Sequence, residues 1–560
     1  MPLPAKLRVF FKRRNEPKTV ISVHSERIVV LVSILLVLLL GLPLWWSTTR
    51  VYRAELPAED IAKFKPIDPL HIPFVFYIDT NMSITVDSIN KIEKSAGLLI
   101  DKQRALYAPN EWSVRYQASV CQGAAPKIPG HYTLSIHEAS DASVSVDIAV
   151  GRMATVSVPK TAAIEPVLAQ LISTMVAKEE QEVRRRRPGS RKSSGEAAQK
   201  HSDRALKYSA EYAVTFTLLN EDPVDGVSVD WDIEQAVSQY IQPFVDALRP
   251  LTKLTITSQV LHHAGSPPIK PQRASNYTYL SSDMLTHFVN SPSWNLASTD
   301  PISPMLNFML YVPSLESQPM HIIQGDAHKQ LRTNAFLVSQ WGGITIANLP
   351  KDTIPGSHIV FSQAQMQEYM GAFIAQLREH IGIRRDVPLA RKGTPLIKNI
   401  RVRQATATGI SDWELDALLR QWLVDNRETA ITTLQSLTRL VDSMQNMVVM
   451  DEIKAKVDQS LFELGAIEGA LNAFDPSNAP VTDHLKACQN AAMASTLAES
   501  AFFDPSMVSM LYFPDQHKYA IYLPFFLPVA LPLLTAIKRV INARKQAARN
   551  SKDTKKTKDE

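Results

Sequence analysis

Cys121 is the side chain whose surroundings come nearest to those of a catalytic nucleophile. It lies in the stretch Ser-Val-Cys-Gln-Gly at 119–123, and His71 precedes it by 50 residues, a spacing known from Cys–His proteases. A thiolate nucleophile also needs a histidine within hydrogen-bond reach, and the Gln-Ala pair that precedes the cysteine in that motif is missing here. We therefore interpret Cys121 as a small buried side chain and keep a Cys121-based hydrolase or transferase as the alternative.

Other chemistry-bearing residues form no recognisable motif in the sequence. The adjacent His262 and His263 have no third ligand at a metal-binding spacing, and the two cysteines, Cys121 and Cys488, form no C-x-x-C pair. The phosphate loop, the G-x-S-x-G elbow and the H-E-x-x-H zinc motif are also absent. The sequence therefore predicts no catalytic residue, no cofactor and no metal site.

The sequence shows two patterns of secondary structure that could position such residues. Residues 47–410 alternate between strand-like runs, such as Ile-Pro-Phe-Val-Phe-Tyr-Ile-Asp at 72–79, and helical spacing, which predicts a mixed α/β body. Within it, 178–204 is rich in arginine, serine and charge and is predicted to be a disordered insertion. Helical periodicity dominates 411–518, which predicts a helical bundle.

Two long apolar runs flank this body. Residues 28–46 and 519–537 are each 19 residues long and uncharged. About 20 apolar residues in a helix cross a bilayer core, so both runs are predicted to be transmembrane helices. Because the tails at 1–27 and 538–560 carry an excess of Lys and Arg, both are predicted to be cytoplasmic. Their position in tails rather than on a folded face argues against a nucleic-acid partner.

The predicted fold class is therefore a two-span α-helical membrane protein with a large lumenal mixed α/β body followed by a helical bundle. A lumenal body would make Asn81 and Asn276, in their N-x-S/T sequons, glycosylation candidates. The ending Lys-Lys-Thr-Lys-Asp-Glu is either a dilysine retrieval signal or merely a lysine-rich end.

Residues at the two runs yield further candidates. His24 and Arg27, at the cytoplasmic mouth of the first run, are candidates for binding acidic lipid headgroups. Pro524, Pro528 and Pro532 recur every four residues and share one helical face. Since proline leaves carbonyls that neighbours must satisfy, this face is a candidate for packing against another subunit's helix, with a simple kink as the alternative.

Several stretches resemble the PIG-S family, a non-catalytic component of glycosylphosphatidylinositol (GPI) transamidase. The two specific blocks are Gly-Leu-Pro-Leu-Trp-Trp-Ser-Thr-Thr-Arg-Val-Tyr-Arg-Ala-Glu-Leu-Pro at 41–57 and the segment 501–534 that contains Asp-Pro-Ser-Met-Val-Ser-Met-Leu-Tyr-Phe-Pro. Shorter markers are Phe-Thr-Leu-Leu-Asn-Glu-Asp-Pro at 216–223, Ser-Gln-Val at 258–260 and Gln-Trp-Gly-Gly-Ile at 340–344. The resemblance runs along the whole chain in order, and the arginine-rich insertion departs from it.

The resemblance implies a structural subunit of the complex that replaces a protein's C-terminal signal with a GPI anchor. It also implies a location in the endoplasmic reticulum membrane, with two spans, both termini cytoplasmic and the body lumenal. The implied partners are a PIG-K-like catalytic subunit of caspase type, PIG-T-like, PIG-U-like and GPAA1-like subunits, and membrane lipids. The alternatives are the membrane-tethered lumenal cysteine hydrolase or transferase and a free-standing lumenal adaptor.

Overall fold

The computed structural model describes most of the 560-residue chain. The described residues are 20–49, 52–66, 69–80, 85–107, 114–123, 125–139, 143–185, 208–221, 226–265, 267–289, 294, 304–324, 329–383, 397, 399–444, 447–472, 483–509 and 515–556.

Helices dominate both ends of the described chain. They are α1 (Val20–Thr49), α2 (Ala58–Lys63), α3 (Val86–Tyr107), α4 (Ile164–Arg185), α5 (Ile233–Ala236), α6 (Gln242–Leu248), α7 (Gln363–Ile381), α8 (Asp412–Ser443), α9 (Asp451–Leu471), α10 (His484–Phe502), α11 (Pro505–Ser509) and α12 (Asp515–Lys556). A π-helical turn, Val237–Ile241, joins α5 to α6, and short 3-10 turns lie at Leu285–His287 and Leu315–Ser317.

Strands fill the middle of the chain. They are β1 (Leu70–Thr80), β2 (Val114–Gln122), β3 (His131–Ala139), β4 (Ser145–Ile148), β5 (Met153–Pro159), β6 (Glu211–Glu221), β7 (Ser228–Asp230), β8 (Lys253–Ala264), β9 (Gln272–Arg273), β10 (Thr278–Ser281), β11 (Met305–Val312), β12 (Met320–Gln324), β13 (Lys329–Gln330), β14 (Ala335–Val338), β15 (Gly342–Ile346), β16 (His358–Val360) and β17 (Asn399–Val402).

The first sheet has six strands in the order β17-β4-β5-β3-β1-β2. All its neighbours are parallel except β4 and β5. The chain passes from β1 through α3 to the parallel strand β2, a βαβ crossover, and α3 and α4 pack against each other and against β2. Strand β1 buries six of its eleven residues, among them the consecutive run at 74–76, as a parallel strand with packing on both faces should.

The second sheet has five strands in the order β14-β15-β11-β6-β8, with β14 as the antiparallel member. Strands β6 and β8 are parallel and are joined through α5 and α6, a second crossover. Helix α7 packs on β15 and β14. It begins with a capping box in which Ser362 and Gln365 bond reciprocally, and it ends at Gly382 in the left-handed conformation.

A third sheet, β13-β12-β10-β9, is joined to the second by two asparagine side chains. Asn334 donates to the carbonyl oxygens of Met320 and Ile346 and accepts from the N–H of Ile322. Asn348 accepts from the N–H of Met320 and donates to its carbonyl. The two side-chain amides therefore act like a short length of extra strand between the sheets. A separate ribbon pairs β16 with β7.

The described chain divides into two compact units. One comprises Pro57–Gln435 and Val457–Glu499 and contains all the sheets. The other comprises Met1–Leu56, Ser436–Lys456 and Ser500–Glu560, and within it α1 and α12 contact each other. The mixed α/β body is thus present, and the first part of α8 belongs to the same unit as the sheets.

The two-span fold class is wrong. Within the described residues, no helix combines the length and the apolar character that crossing a bilayer requires. The expectation rested on the apolar runs at 28–46 and 519–537 alone. The multi-pass topology predicted from these two runs, with both termini cytoplasmic and the body lumenal, is wrong with it.

The other predicted segment boundaries stay predictions. The structure shows α4 continuing to Arg185, so the start of the insertion at 178 lies within a helix. The remainder of the insertion, 186–204, lies outside the described residues.

Candidate functional site

The glycine pair of the Gln-Trp-Gly-Gly-Ile marker lies where the second sheet is most crowded. A Cβ atom on Gly342 would stand 1.8 Å from the carbonyl oxygen of Asn307, and the φ of Gly342 is +147°. A Cβ atom on Gly343 would stand 2.2 Å from Oε1 of Gln376. Both positions therefore exclude side chains, because backbone approaches Gly342 and a helix side chain covers Gly343.

Helix α7 is held onto this strand by two side chains one turn apart. Gln376 donates to the carbonyl oxygens of Phe336 (2.9 Å) and Ile344 (3.2 Å). His380 is fully buried, and its Nε2 lies 2.9 Å from the carbonyl oxygen of Gly342, so this nitrogen donates. Both side chains come from the same face of α7, since positions i and i+4 are neighbours on a helix.

An open cleft of about 810 Å³ lies between the β13–β14 segment and α7. Its volume is in the range of ligand-binding pockets. One wall is a stripe along α7 in which two small residues lie between two glutamates: Glu368, Ala372, Ala375 and Glu379. The opposite wall is formed by residues 330–337. Thr345 of β15 and Gln376 of α7 also line the cleft.

Charged and polar groups line the cleft. Its described lining includes the carboxylates of Glu368 and Glu379 and the guanidinium of Arg332. Burial lowers the pKa of His321, so its ring is neutral at neutral pH. Burial, and then the charge of Glu368, raise the pKa of Tyr369 to about 12, so its hydroxyl is also neutral.

A buried charged junction joins the start of α8 to the first sheet. Asp416 is completely buried and accepts two hydrogen bonds from Arg152, of 2.7 and 2.8 Å. Burial opposes the charge on Arg152, but the bonds and charges of Asp416 and Asp412 outweigh it and raise the pKa of the guanidinium. The indole of Trp413 stacks on Tyr132 at 4.4 Å and donates to the carbonyl of Gly151.

Arg420 lies one turn further along α8 and is 2 % exposed. Its guanidinium lies 4.5 Å from the ring centre of Phe74 and donates to the hydroxyl oxygen of Tyr132 at 2.7 Å. Fully buried arginine is uncommon and is retained where its hydrogen bonds and charge are matched. The junction is thus a structural joint between α8, β1 and β3.

Helix α10 closes the same joint through His484. Its Nε2 donates to the carbonyl oxygen of Pro73 at 2.8 Å, and Gly130 packs against the ring so closely that a Cβ would stand 2.6 Å from it. Burial, and then the charge of Arg420, lower the pKa of His484 to about 3. The imidazole is therefore neutral at physiological pH and serves as a buried donor.

The structure separates the two residues of the cysteine-nucleophile alternative. Strands β1 and β2 are parallel, and Cys121 lies opposite Tyr77, six positions beyond His71. Six residues of strand span roughly 20 Å, far beyond hydrogen-bond reach. Burial, and then the charge of Glu93, raise the pKa of the Cys121 thiol, whereas an activated thiol needs a lowered pKa. Cys121 and Cys488 are both free thiols.

The histidine pair lies at the end of β8. His262 Nδ1 is 3.4 Å from Asn220 Nδ2, and its Nε2 is 3.9 Å from Asp230, whose other oxygen is 3.6 Å from His358. Across the described part of the chain, no three or more His, Cys, Asp or Glu residues form a group suited to a metal ion. His263 has a positive φ of 55°.

The remaining candidates stay predictions. Asn276 is exposed in the turn between β9 and β10, while Asn81 lies outside the described residues. His24 and Arg27 lie on α1, but their side chains are outside the described set. Pro524, Pro528 and Pro532 lie inside α12 and are exposed.

Sequence reasoning missed the residues that the structure makes central. Arg152, Asp416 and Arg420 are charged positions in otherwise ordinary strand and helix patterns, so no local signal marked them as partners.

A sequence signal was available at Asn220 and Glu221, which lie in the marker at 216–223. The amide of Asn220 pairs with both backbone groups of Val229, and the Glu221 carboxylate accepts from the Tyr311 hydroxyl and the Ser314 N–H.

Comparison with known proteins tests the resemblance directly. Residues 32–547 match the family model described as PIG-S: Phosphatidylinositol-glycan biosynthesis class S protein. The chain is 30% identical over 541 residues to the GPI-anchor transamidase component PIGS of Rattus norvegicus, covering 90% of this chain and 92% of the relative. It is 29% identical over 553 residues to the protein of the same name in Homo sapiens, covering 92% and 95%.

A fungal relative agrees with these. The GPI transamidase component PIG-S homolog of Schizosaccharomyces pombe is 28% identical over 511 residues, covering 89% of this chain and 80% of that protein. The matches run across almost the whole chain and so include all the described sheets, the charged junction and the cleft. The chain belongs to the PIG-S family.

Proposed function

We propose that this protein is a non-catalytic subunit of a GPI transamidase, the assembly that attaches GPI anchors to proteins. The observation that carries the proposal is the family match over residues 32–547, together with relatives whose names call them transamidase components. Two of these relatives cover about nine tenths of both chains, which supports carrying over the role of the whole protein rather than of one module.

The absence of catalysis is proposed from the site geometry. The one cysteine that the sequence singled out is Cys121, and burial raises the pKa of its thiol. His71, the histidine considered as its base, lies on the neighbouring strand and is displaced by six positions, roughly 20 Å. These features oppose nucleophilic catalysis by this chain. The catalytic cysteine is accordingly expected in a caspase-like, PIG-K-like partner.

The remaining partners follow from the same proposal. A component that builds no active site contributes through its surfaces, and the resemblance implies PIG-T-like, PIG-U-like and GPAA1-like subunits as neighbours. Large α/β bodies with buried charged joints are rigid supports, because a buried ion pair tolerates few alternative packings. The Arg152–Asp416 pair would hold such a support in one shape.

The experiment is complementation of cells that lack the endogenous chain. The wild type and Cys121→Ser are expected to restore a GPI-anchored surface reporter equally, measured by flow cytometry. Affinity purification of either form should also recover the caspase-like subunit.

Two results would overturn this assignment. Loss of the reporter with Cys121→Ser, while the complex still assembles, would make the chain an enzyme. Restored surface display without any co-purifying transamidase subunit would make it a free-standing adaptor.

A further inference from the structure

We propose that the carboxylate of Glu221, at the carboxyl end of strand β6, binds the primary ammonium group of a ligand in a crevice between the ends of β6 and β11. This inference does not depend on membership of a transamidase, because it rests on the topology of the second sheet and on the surroundings of one carboxylate.

The strand order of the second sheet places a crevice at this position. From β6 the chain crosses to β8 on one side, and the later strands β11 and β15 lie on the other side. The direction in which strands are added therefore reverses between β6 and β11, which pair in parallel. In open α/β sheets, ligands bind outside the carboxyl ends of the two strands where this direction reverses.

The carboxylate of Glu221 links the ends of these two strands. Its Oε2 accepts from the Tyr311 hydroxyl at 2.9 Å and from the Ser314 N–H at 2.8 Å. Tyr311 belongs to β11, and Ser314 follows the end of that strand by two residues. Burial, and then the charge of Glu221, raise the pKa of Tyr311, so its hydroxyl keeps the proton that it donates. Donors from β11 thus hold the carboxylate at the reversal point.

The second oxygen of Glu221 has no partner. Among the described residues, none donates to Oε1 and none forms an ion pair with the carboxylate. The residue is 9 % exposed, and Oε1 is not one of the enclosed atoms that lack a partner, so this oxygen contacts solvent. A carboxylate that is nine-tenths buried without a cation is costly, and a cation bound to its open oxygen would lower that cost.

Apolar packing around the carboxylate strengthens its attraction for a cation. Glu221 lies opposite Ala264 of β8, and opposite residues of a strand pair share a face. Ala264 and Tyr311 belong to a buried cluster that also contains Phe288 and Trp294. Charges interact more strongly beside such packing than in water.

The neighbouring strand is irregular at the same level. Asn220 is opposed by two residues of β8, His262 and His263, which form a β-bulge. His263 has a positive φ of 55°, which is uncommon outside glycine. Bulges and such backbone outliers are concentrated beside binding and active sites. The bulge therefore agrees with a ligand site at the end of β6.

The narrow exposure of Glu221 selects the form of the cation. Because little of the residue is open to solvent, a ligand must approach Oε1 with a thin group. A primary ammonium group on an alkyl chain is thin, and it supplies the N–H donors that an acceptor-only carboxylate needs. A quaternary ammonium group carries the same charge but is wider and has no N–H, so it serves as the control ligand.

The test measures binding of n-butylammonium and n-butyltrimethylammonium to the purified full-length chain by calorimetric titration at equal ionic strength. n-Butylammonium is expected to bind with a Kd of about 1–10 mM, and the quaternary ion at least about tenfold more weakly. Equal affinities, or no binding of n-butylammonium, would overturn the proposal. This comparison uses the wild-type protein and needs no variant.

Glu221→Gln tests the carboxylate itself. The amide keeps the shape and an oxygen that can accept from Tyr311 and Ser314, but it removes the charge. Binding of n-butylammonium is expected to weaken by at least about tenfold. The melting temperature of the free variant should be unchanged or higher, because an unpaired buried charge is gone.

Glu234→Gln, at an exposed position on α5, is the matched control and should change binding by less than about twofold. Equal loss of binding in the two variants would contradict the assignment to Glu221. If Glu221→Gln does not fold, the comparison of the two ions with the wild type decides the question.

A peptide distinguishes the two sources of a primary ammonium group, a small amine and a lysine side chain of a partner protein. The probe is acetyl-Gly-Gly-Lys-Gly-Gly-amide. Binding at least as tight as that of n-butylammonium identifies a partner's lysine, and weaker binding identifies a small amine. In either case Glu221→Gln should weaken binding, and a peptide that binds wild type and variant equally would contradict the proposal.

Discussion

At the scale of single residues, Gly342 and Gly343 connect a sequence marker to a packing constraint. The resemblance singled out Gln-Trp-Gly-Gly-Ile without a reason for the glycines. The structure supplies one, because the Asn307 backbone approaches the first glycine and Gln376 covers the second. The two glycines of the marker are therefore needed because β11 and α7 pack closely against β15.

Replacement of the glycines tests this explanation. Gly343→Ala should lower the free energy of unfolding by about 1–3 kcal/mol, since Gln376 must leave its place, and Gly342→Ala should cost more because backbone cannot yield. Denaturant unfolding measures both. Adding Gln376→Ala to Gly343→Ala should recover part of the loss, and no recovery would contradict the explanation.

A glycine with free space around it is the control. Gly465 lies inside α9, and a Cβ there would meet nothing within 4 Å. Gly465→Ala should therefore be neutral or stabilise the protein by up to about 1 kcal/mol, since alanine has the higher helix propensity.

At the scale of elements, the charged junction explains why α8 does not stand apart from the sheets. Its first turns supply Trp413, Asp416 and Arg420, which contact β3, Arg152 and β1. The buried Asp416 carboxylate would strongly destabilise the fold if the Arg152 guanidinium were missing. The pair therefore stabilises the folded protein only when both residues are present.

A double-mutant cycle measures this coupling. Asp416→Ala should lower the free energy of unfolding by about 3–5 kcal/mol, because it leaves Arg152 half-buried without its main partner. The double variant with Arg152→Ala should lose much less than the sum of the single losses. Arg439→Gln, at an exposed position on the same helix, should stay within about 0.5 kcal/mol. Additive losses in the cycle would contradict the coupling.

The marker at 41–57 has its own structural role. Tyr52 donates to Asp451 at 2.8 Å, Arg53 donates to the carbonyl of Val441 at 2.6 Å, and the N–H of Ala54 donates to the carbonyl of Val449. These bonds tie the chain after α1 to the connection between α8 and α9.

Arg53→Ala should therefore loosen that connection locally. Its charge pair with Asp442 is exposed and contributes little, so the expected loss comes from the bond to Val441 and amounts to about 1 kcal/mol. Hydrogen exchange of the Ala54 amide should accelerate, while amides of the first sheet should keep their protection. Unchanged exchange at Ala54 would show that the tie does not depend on Arg53.

At the scale of the whole molecule, the buried His484 makes stability depend on pH. Its pKa in the folded protein, about 3, is below the ordinary histidine value of about 6.5, so the unfolded chain binds more protons between these values. Stability should therefore be full above about pH 6.5 and should fall as pH drops below it, by up to about 1.4 kcal/mol per pH unit.

Unfolding titrations between about pH 4.5 and 7.5 contain this effect, and His321, whose pKa burial also lowers, adds to it in the same direction. The depressed pKa of Asp504, about 2, places its own titration lower. The Asp504 pKa is lowered chiefly by hydrogen bonds from Ser506 and Lys456. His484→Gln can still donate to the Pro73 carbonyl and should reduce the slope in this window, leaving the smaller part that His321 contributes. An unchanged slope would place the acid sensitivity elsewhere.

The sequence by itself determined the family, the mixed α/β character and the absence of a recognisable catalytic motif, because these depend on ordered markers and on local periodicity. It misjudged the apolar runs at 28–46 and 519–537 as membrane spans, since no described helix meets the requirements for crossing a bilayer. Only the tertiary structure decided that His71 and Cys121 lie far apart, that Arg420 is buried, and that β14 ends a sheet beside a cleft. The physical reason is that strand register, ion pairing and edge exposure arise from residues distant in the chain, which no local pattern records.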